Sequence, residues 1–139
     1  MTKKKAKIFT LEFASNSKYL SKVDKLSAKV ARYAKLDESS RDDLGIVATE
    51  LVNNAIHHGN KNNPNKMVHI QFFVNSDRIE LRIKDEGDGF DPDALKDPLA
   101  PENLMSESGR GIFLIRNLMD RLDFKFTAEG TETIAIKYL

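Results

Sequence analysis

The sequence predicts an α/β (α+β) two-layer sandwich, in which helices cover one face of a mixed but mostly antiparallel sheet. Three observations support this. The strand and helix patterns follow one another in the order β-α-α-β-β-α-β-β, short turns join neighbouring strands, and a long aperiodic segment precedes the last helix. The chain has 139 residues, which fits one domain. We expect a flexible basic tail at residues 1–7 and a single domain at residues 8–139.

The first half of the chain contains one predicted strand and two predicted helices. Residues 8–13 are rich in strand formers. Apolar residues recur at three- and four-residue steps over residues 16–35, which predicts an amphipathic helix. A second helix is expected over residues 40–59, with Asp42 and Asp43 in its first turn, where the helix dipole favours acids.

The second half begins with a predicted hairpin, formed by residues 67–75 and 78–84 around a short turn. Residues 78–84 alternate strictly between polar and apolar, so one side of this strand should be buried. Residues 90–108 contain three prolines, several acids and no period, and we expect them to form a lid. The remaining predicted elements are a helix at residues 109–122 and a second hairpin at residues 122–126 and 131–139.

Composition excludes several classes of function. Lys and Arg (22) nearly balance Asp and Glu (21), so the formal charge of +1 favours neither direct nucleic-acid binding nor attraction to a membrane. Without cysteine, the chain has no disulfide, thiolate metal site or thiol nucleophile. Its apolar stretches are too short to cross a bilayer. We therefore expect a soluble cytoplasmic domain.

The first polar motif lies on the second predicted helix. Glu50 and Asn54 are four residues apart, at the edge of its apolar arc. Carboxylate and amide oxygens are what Mg²⁺ and the activation of a hydroxyl nucleophile require. Taken alone, the pair is better explained as a helix edge satisfied by hydrogen bonds to the neighbouring backbone. The apolar arc consists of Leu44, Val47, Leu51 and Ala55.

The second motif, Asp85-Glu86-Gly87-Asp88-Gly89, follows the alternating strand. Asp85 continues the apolar face of that strand, so its carboxylate should point to the buried side. Gly87 and Gly89 allow a ligand to approach the backbone closely. A buried carboxylate beside glycines can accept a hydrogen bond from an exocyclic amine such as that of adenine. The alternative is an ordinary acidic turn, and the inward direction of Asp85 argues against it.

The third motif, Ser108-Gly109-Arg110-Gly111-Ile112, lies where the predicted lid ends and the next helix begins. A glycine-rich loop that enters a helix presents free N–H groups to an anion, and the helix dipole favours phosphate. The motif lacks the Lys-Ser/Thr of a P-loop and is not a dinucleotide-binding fingerprint. A flexible lid hinge is the alternative reading.

In their order and spacing, the three motifs resemble the nucleotide-binding boxes of the GHKL ATPase superfamily. The runs at residues 50–59 and 109–120 are similar to those of the stand-alone anti-sigma factor and serine-protein kinase family of bacterial partner switches. The resemblance extends over about residues 8–139 and implies the Bergerat, histidine-kinase-like ATPase fold. It also implies that ATP and Mg²⁺ are bound.

The resemblance further implies a role for individual residues. Asn54 would ligate the Mg²⁺ that bridges the ATP phosphates, Asp85 would accept the adenine amino hydrogen, and Glu50 would be the catalytic general base. Thr131 would support the adenine contact, although Thr133 leaves a slip of two residues open. The other implied nucleotide contacts are His58, the adenine-side glycines Gly87 and Gly89, and the phosphate-binding stretch Gly109, Arg110, Gly111 and Ile112.

The implied activity is that of an ATP-dependent protein-serine kinase. It would phosphorylate a STAS-type anti-anti-sigma protein, sequester a sigma factor and form a homodimer through the open face of the sheet near the first strand. The sigma contact is unassigned, and Lys22 and Lys25 are the nearest basic residues on the first helix.

Two other functions stay open. One is a non-catalytic binding module in which ATP only sets which partner is held. The other is a plain ATPase or an excised histidine-kinase catalytic domain, which is disfavoured because none of the three histidines lies on a long dimerisation helix.

Overall fold

The computed structural model describes residues 6–87 and 107–139, so Gly89 and almost all of the expected lid lie outside the described residues. Among the residues described, no helix is long and apolar enough to cross a membrane. The strands are β1 (Lys7–Ala14), β2 (Met67–Val74), β3 (Arg78–Lys84), β4 (Arg121–Thr127) and β5 (Gly130–Tyr138). The α-helices are α1 (Leu20–Tyr33), α2 (Glu38–Asn54) and α3 (Glu107–Leu118). A 3₁₀ turn (Ser17–Tyr19) precedes α1, and a π-helical turn (Ala55–Gly59) follows α2.

The five strands form one sheet in the order β1-β2-β3-β5-β4. All four pairings between these strands are antiparallel, so the expected admixture of parallel pairing is wrong for this part of the chain. The reason lies in the connections: two hairpins join β2 to β3 and β4 to β5, and β5 runs antiparallel beside β3. The predicted fold class is confirmed, with three helices packed on a five-stranded antiparallel sheet.

The core lies between the sheet and the helix layer, in which α2 contacts both α1 and α3. The predicted apolar arc of α2 and the predicted buried side of β3 are confirmed, because every residue in both sets is at most 4% exposed. Side chains of alternate residues in β2 meet the same core. The arc and the two strand faces consist of Leu44, Val47, Leu51, Ala55, Val68, Ile70, Phe72, Ile79, Leu81 and Ile83.

The first helix is shorter than the periodicity indicates. Asn16 caps the 3₁₀ turn by accepting a hydrogen bond from Lys18 N (2.9 Å), and α1 begins only at Leu20. At the other end Lys35 adopts a left-handed φ of 57°. Leu36 N then donates to Ala31 O (3.0 Å), which closes a Schellman motif and ends the helix.

The second helix begins earlier than expected. Asp37 is its N-cap and accepts a hydrogen bond from Ser40 N (2.7 Å), so Asp42 and Asp43 lie in the second turn rather than the first. Its end also differs: after Asn54 the backbone widens into the π-helical turn, where Asn60 N donates to Ala55 O (2.8 Å).

The last helix differs from expectation at both ends, and the basic tail at one. α3 runs from Glu107 to Leu118 rather than over residues 109–122, because Asp120 already belongs to the sheet edge. Asp120 N donates to Ile136 O (2.9 Å), and Asp120 Oδ2 accepts from Tyr138 N (2.7 Å). Lys7, expected in the tail, is the first residue of β1.

The packing of β2 predicts that replacing two adjacent phenylalanines by alanine lowers the free energy of unfolding by different amounts. Phe72 is fully buried, whereas Phe73 lies on the open face under the Arg82 guanidinium, 5.0 Å from its ring centre. Phe72→Ala should lower the free energy of unfolding by about 3–5 kcal/mol. Phe73→Ala should cost at most about 1 kcal/mol. Urea unfolding of both variants tests this, and equal costs would mean that the two faces of β2 are wrongly assigned.

Candidate functional site

The end of β3 holds the buried carboxylate that the sequence singles out. Asp85 is 2% exposed, and its Oδ1 accepts hydrogen bonds from the backbone N–H groups of Gly87 (3.0 Å) and Thr131 (3.1 Å). Asp85 N in turn donates to Thr131 O (3.0 Å). The start of β5 and the turn after β3 therefore fix this carboxylate from two sides. The predicted inward direction of Asp85 is confirmed.

Glycines permit the close approach of the backbone around Asp85. A Cβ at Gly59 would lie 2.1 Å from Asp85 Oδ2, and a Cβ at Gly87 would lie 1.6 Å from Gly59 O. Gly130, with a φ of +145°, brings β5 against Asp85 O, where a Cβ would lie 2.1 Å away. The π-helical turn after α2 thus places Gly59 in direct contact with the carboxylate, and a side chain at any of these glycines would separate the segments.

Burial dominates the electrostatics of this carboxylate. Desolvation raises the pKa of Asp85, while the N–H groups of Gly87 and Thr131 and the positive charge of Lys66 lower it by less. The net shift is upward, so the hydrogen bonds offset only part of the cost of burying the charge. An additional hydrogen-bond donor, such as a ligand amine, would find an acceptor here that the protein has not saturated.

Asn60 also belongs to this site, although it is part of none of the three sequence motifs. Its side chain is buried; Oδ1 accepts from Glu86 N (2.8 Å), and Nδ2 donates to Met67 O (3.0 Å). The carboxylate of Glu86 accepts from Met67 N, which closes the link. The Asn60 side chain therefore ties the turn after β3 to the end of the π-helical segment. In the sequence, Asn60 is a polar residue directly after His58-Gly59. Such a residue is typical of a loop, so the sequence gives no specific indication of its role in the site.

Three buried side chains carry a polar atom with no hydrogen-bond partner among the described residues, and two of them, Asn54 and Thr131, are predicted site residues. Nδ2 of Asn54 and Oγ1 of Thr131 have no hydrogen-bond partner among the described residues. Thr131 contacts Asp85 directly, whereas Thr133 pairs with Ile83 further along the strand, so the structure favours Thr131 of the two candidates. Unpaired buried polar atoms cost free energy, and a bound ligand would relieve that cost.

The predicted Mg²⁺ ligand Asn54 is buried and offers one oxygen. Mg²⁺ in nucleotide sites takes one or two protein oxygens, and substrate phosphates and water supply the rest. Oδ1 of Asn54 is the atom that could serve as such a ligand, whereas its unpaired Nδ2 is a donor that would instead meet an acceptor of the ligand. Among the described residues, no group of three or more His, Asp or Glu side chains could hold a metal ion by itself.

Glu50 connects the first motif to the third. It lies one helical turn before Asn54, and a Cβ at Gly111 would lie 2.8 Å from its Oε2. The Glu50 carboxylate therefore lies against α3 at Gly111, and a side chain at that position would displace the flexible end of Glu50. Ile112, the next residue, is buried, whereas His58 is exposed on the π-helical turn and lies outside the buried cluster.

The third motif differs from expectation in its helix boundary. Because α3 begins at Glu107, Gly109 and Arg110 lie in its first turn, and Gly111 and Ile112 lie in its second. A helix leaves only its first four N–H groups unpaired. Within the helix, the N–H groups free for an anion are therefore those of residues 107–109, and the amides of Arg110, Gly111 and Ile112 are taken up by the helix.

The raised pKa of Asp85 predicts a pH-dependent stability. The folded chain holds the proton of Asp85 more tightly than the unfolded chain, whose carboxyl titrates near 3.8. A stability penalty is therefore absent at low pH and develops as the pH rises through the raised pKa.

Asp85→Asn keeps an oxygen for both N–H donors and removes the charge. The free energy of unfolding of Asp85→Asn minus that of the unsubstituted chain should therefore increase between about pH 4 and pH 7. Urea unfolding at a series of pH values measures the difference. A difference that stays constant or declines with pH would contradict the raised pKa.

Comparisons with known proteins identify the family of the chain. The family model described as "Histidine kinase-like ATPase domain" matches residues 13–137. The serine-protein kinase RsbW of Listeria monocytogenes serotype 4a is 27% identical over 137 residues, covering 94% of this chain and 86% of that protein. RsbW of Bacillus subtilis is 36% identical over 104 residues, covering 70% of this chain and 64% of that protein.

Two solved structures share the fold at 16% sequence identity. The histidine kinase domain of the Erythrobacter litoralis EL346 blue-light activated histidine kinase matches with a TM-score of 0.58 over 87% of this chain and 59% of that chain. The mycobacterial sensor histidine kinase MprB matches with a TM-score of 0.53 over 94% of this chain and 96% of that chain. With the family match over nearly its whole length, the chain belongs to the histidine kinase-like ATPase domain family.

Proposed function

We propose that this chain is an ATP-binding anti-sigma factor with serine-protein kinase activity, which phosphorylates a STAS-type antagonist and sequesters a sigma factor. The observation that carries the nucleotide part is the unsaturated, buried carboxylate of Asp85 beside the unpaired hydroxyl of Thr131. The serine-kinase part is supported by the names of the RsbW relatives.

The pair of groups at the end of β3 suits adenine. The Watson–Crick edge of adenine presents an amino donor beside a ring-nitrogen acceptor. Asp85 can accept the amino hydrogen, and the Thr131 hydroxyl can donate to the ring nitrogen directly or through water. Guanine presents a carbonyl oxygen at the position of the amino group, so Asp85 would repel it. Gly87 and Gly89 would border the ring.

The phosphates would lie between α2 and α3. Asn54 would hold Mg²⁺ on the phosphates, and the free N–H groups of the first turn of α3, including that of Gly109, would bind them. When bound, Mg²⁺ would neutralise charge on the phosphates. This assignment differs from the sequence expectation at Arg110, Gly111 and Ile112, whose amides are internal to the helix.

Glu50 would act as the base of the transfer. Its carboxylate would take the proton from the serine hydroxyl of the partner while the serine oxygen bonds to the γ-phosphorus and the bond to ADP breaks. Two features support this role: Glu50 lies one helical turn before Asn54 on α2, and its carboxylate lies close to Gly111 of α3. Glu50 is therefore not needed to hold the base of the nucleotide.

Two variants separate catalysis from nucleotide binding. Glu50→Gln keeps the shape of the side chain but not its basicity, so ATP affinity should stay nearly normal while phosphotransfer slows by about 10²–10⁴-fold. Asn54→Ala should instead weaken Mg-ATP binding. Radiolabelled phosphate transfer to a STAS-type protein and calorimetric ATP titration measure the two effects. Glu38→Gln, an exposed change at the start of the same helix, is the control and should alter neither.

Two outcomes would change the proposal. Phosphotransfer by Glu50→Gln at the rate of the original chain would exclude Glu50 as the base. Tight ATP binding by the original chain without transfer to any STAS-type protein would favour the nucleotide-gated binding module.

Asn60 should control nucleotide selectivity through the turn that carries Asp85. Asn60→Ala removes the bonds to Glu86 N and Met67 O, so the carboxylate should lose its fixed position. We expect roughly tenfold weaker ATP binding and a reduced preference for ATP over GTP. Asn65→Ala, an exposed change in the same loop, is the control. Unchanged selectivity in Asn60→Ala, with lower stability alone, would show that Asn60 is structural only.

A further inference from the structure

A second groove lies between β1 and α1, and none of the residues lining it belongs to the candidate nucleotide site. The groove has a volume of about 710 Å³. We call it the α1–β1 groove and define it by Lys7, Ile8, Leu26, Lys29, Arg32 and Tyr33.

One wall of this groove is an unpaired strand edge. β1 is the first strand in the sheet order, and among residues 6–87 and 107–139 it pairs with β2 alone. Every second residue of such a strand therefore directs its backbone N–H and C=O groups away from the sheet, where another extended chain can pair with them.

The other wall is cationic. Lys29 and Arg32 lie on the exposed side of α1, and Lys7 approaches from the strand. The ammonium groups of Lys7 and Lys29 lie 5.8 Å and 5.9 Å from the centre of the same Phe9 ring. No acidic residue lines the groove, and no described residue forms an ion pair with any of the three cations. A lysine on an edge strand is often present simply to prevent aggregation. That purpose does not require further cations on the facing helix, such as those on α1.

Two large apolar side chains border the same groove. Ile8 is 50% exposed and Tyr33 is 54% exposed, and the Tyr33 ring meets Phe9 edge-on at 5.5 Å between ring centres. The groove thus combines an open strand edge, three unpaired cations and an apolar contact.

We propose that the α1–β1 groove binds an extended acidic segment of a partner protein, which adds a sixth strand beside β1. Its carboxylates would meet Lys7, Lys29 and Arg32, and an apolar side chain would contact Ile8 and Tyr33. A nucleic acid or an anionic membrane could neutralise the cations but would leave the β1 backbone unpaired. The proposal does not depend on ATP binding or on kinase activity.

The test uses the full chain and a fluorescein-labelled peptide of ten residues in which Glu and Val alternate. Lys29→Glu/Arg32→Glu should weaken binding by about tenfold or more in fluorescence anisotropy. Arg41→Glu/Arg116→Glu changes the same charge at exposed helix positions outside the groove and should stay within about twofold. Circular dichroism and thermal unfolding confirm that both double variants fold.

A second peptide tests the strand pairing. N-methylation at alternate residues removes the N–H groups on one edge of the peptide and leaves its charge unchanged. If the peptide pairs with β1, one of the two possible methylation registers should bind about tenfold more weakly than the parent peptide.

Several results would overturn the proposal. These are an absence of peptide binding, equal losses in the two double variants, and no effect of N-methylation in either register. The proposal would also fail if a single-stranded oligonucleotide or phosphatidylglycerol vesicles bound more tightly than the peptide through Lys29 and Arg32.

Discussion

The hydrogen bonds to the buried carboxylate of Asp85 are the contacts on which the candidate site depends. They join the end of β3 to the start of β5, and Gly59 brings the end of α2 into the same contact. Burying a carboxylate costs free energy unless donors surround it. Here two backbone N–H groups compensate only in part, as the raised pKa of Asp85 indicates. The chain thereby retains an acceptor of fixed position for a ligand donor.

Helix α2 carries most of the remaining chemistry because its packing fixes its rotation. Its apolar arc is buried against the sheet and the neighbouring helices, which leaves Glu50 and Asn54 at the edge of the core. The π-helical turn that follows ends at Gly59, which lies against Asp85. A regular α-helix to Gly59 would give this segment a different path. Local irregularity of this kind is frequent at functional sites.

The two proposed sites use different parts of the same scaffold. The nucleotide would lie between α2, α3 and the ends of β3 and β5, whereas the partner segment would bind beside α1 and β1. Helix α1 packs directly on α2, so these surfaces are separated by one helix–helix contact. That contact is a physical route by which a change at one site could reach the other.

Sequence periodicity determined the elements, the buried side of β3 and the residue types at the site. Burial alternates along a strand and recurs along a helix, so local pattern was enough to point Asp85 inward and to place Glu50 and Asn54 on one edge. Only the tertiary structure decided which segments meet. The hydrogen bond between Glu86 N and Asn60 spans 26 residues, and the one between Thr131 N and Asp85 spans 46 residues. The choice between Thr131 and Thr133 depends on the register of β5 against β3. Such contacts arise from packing between distant segments, which no local pattern encodes.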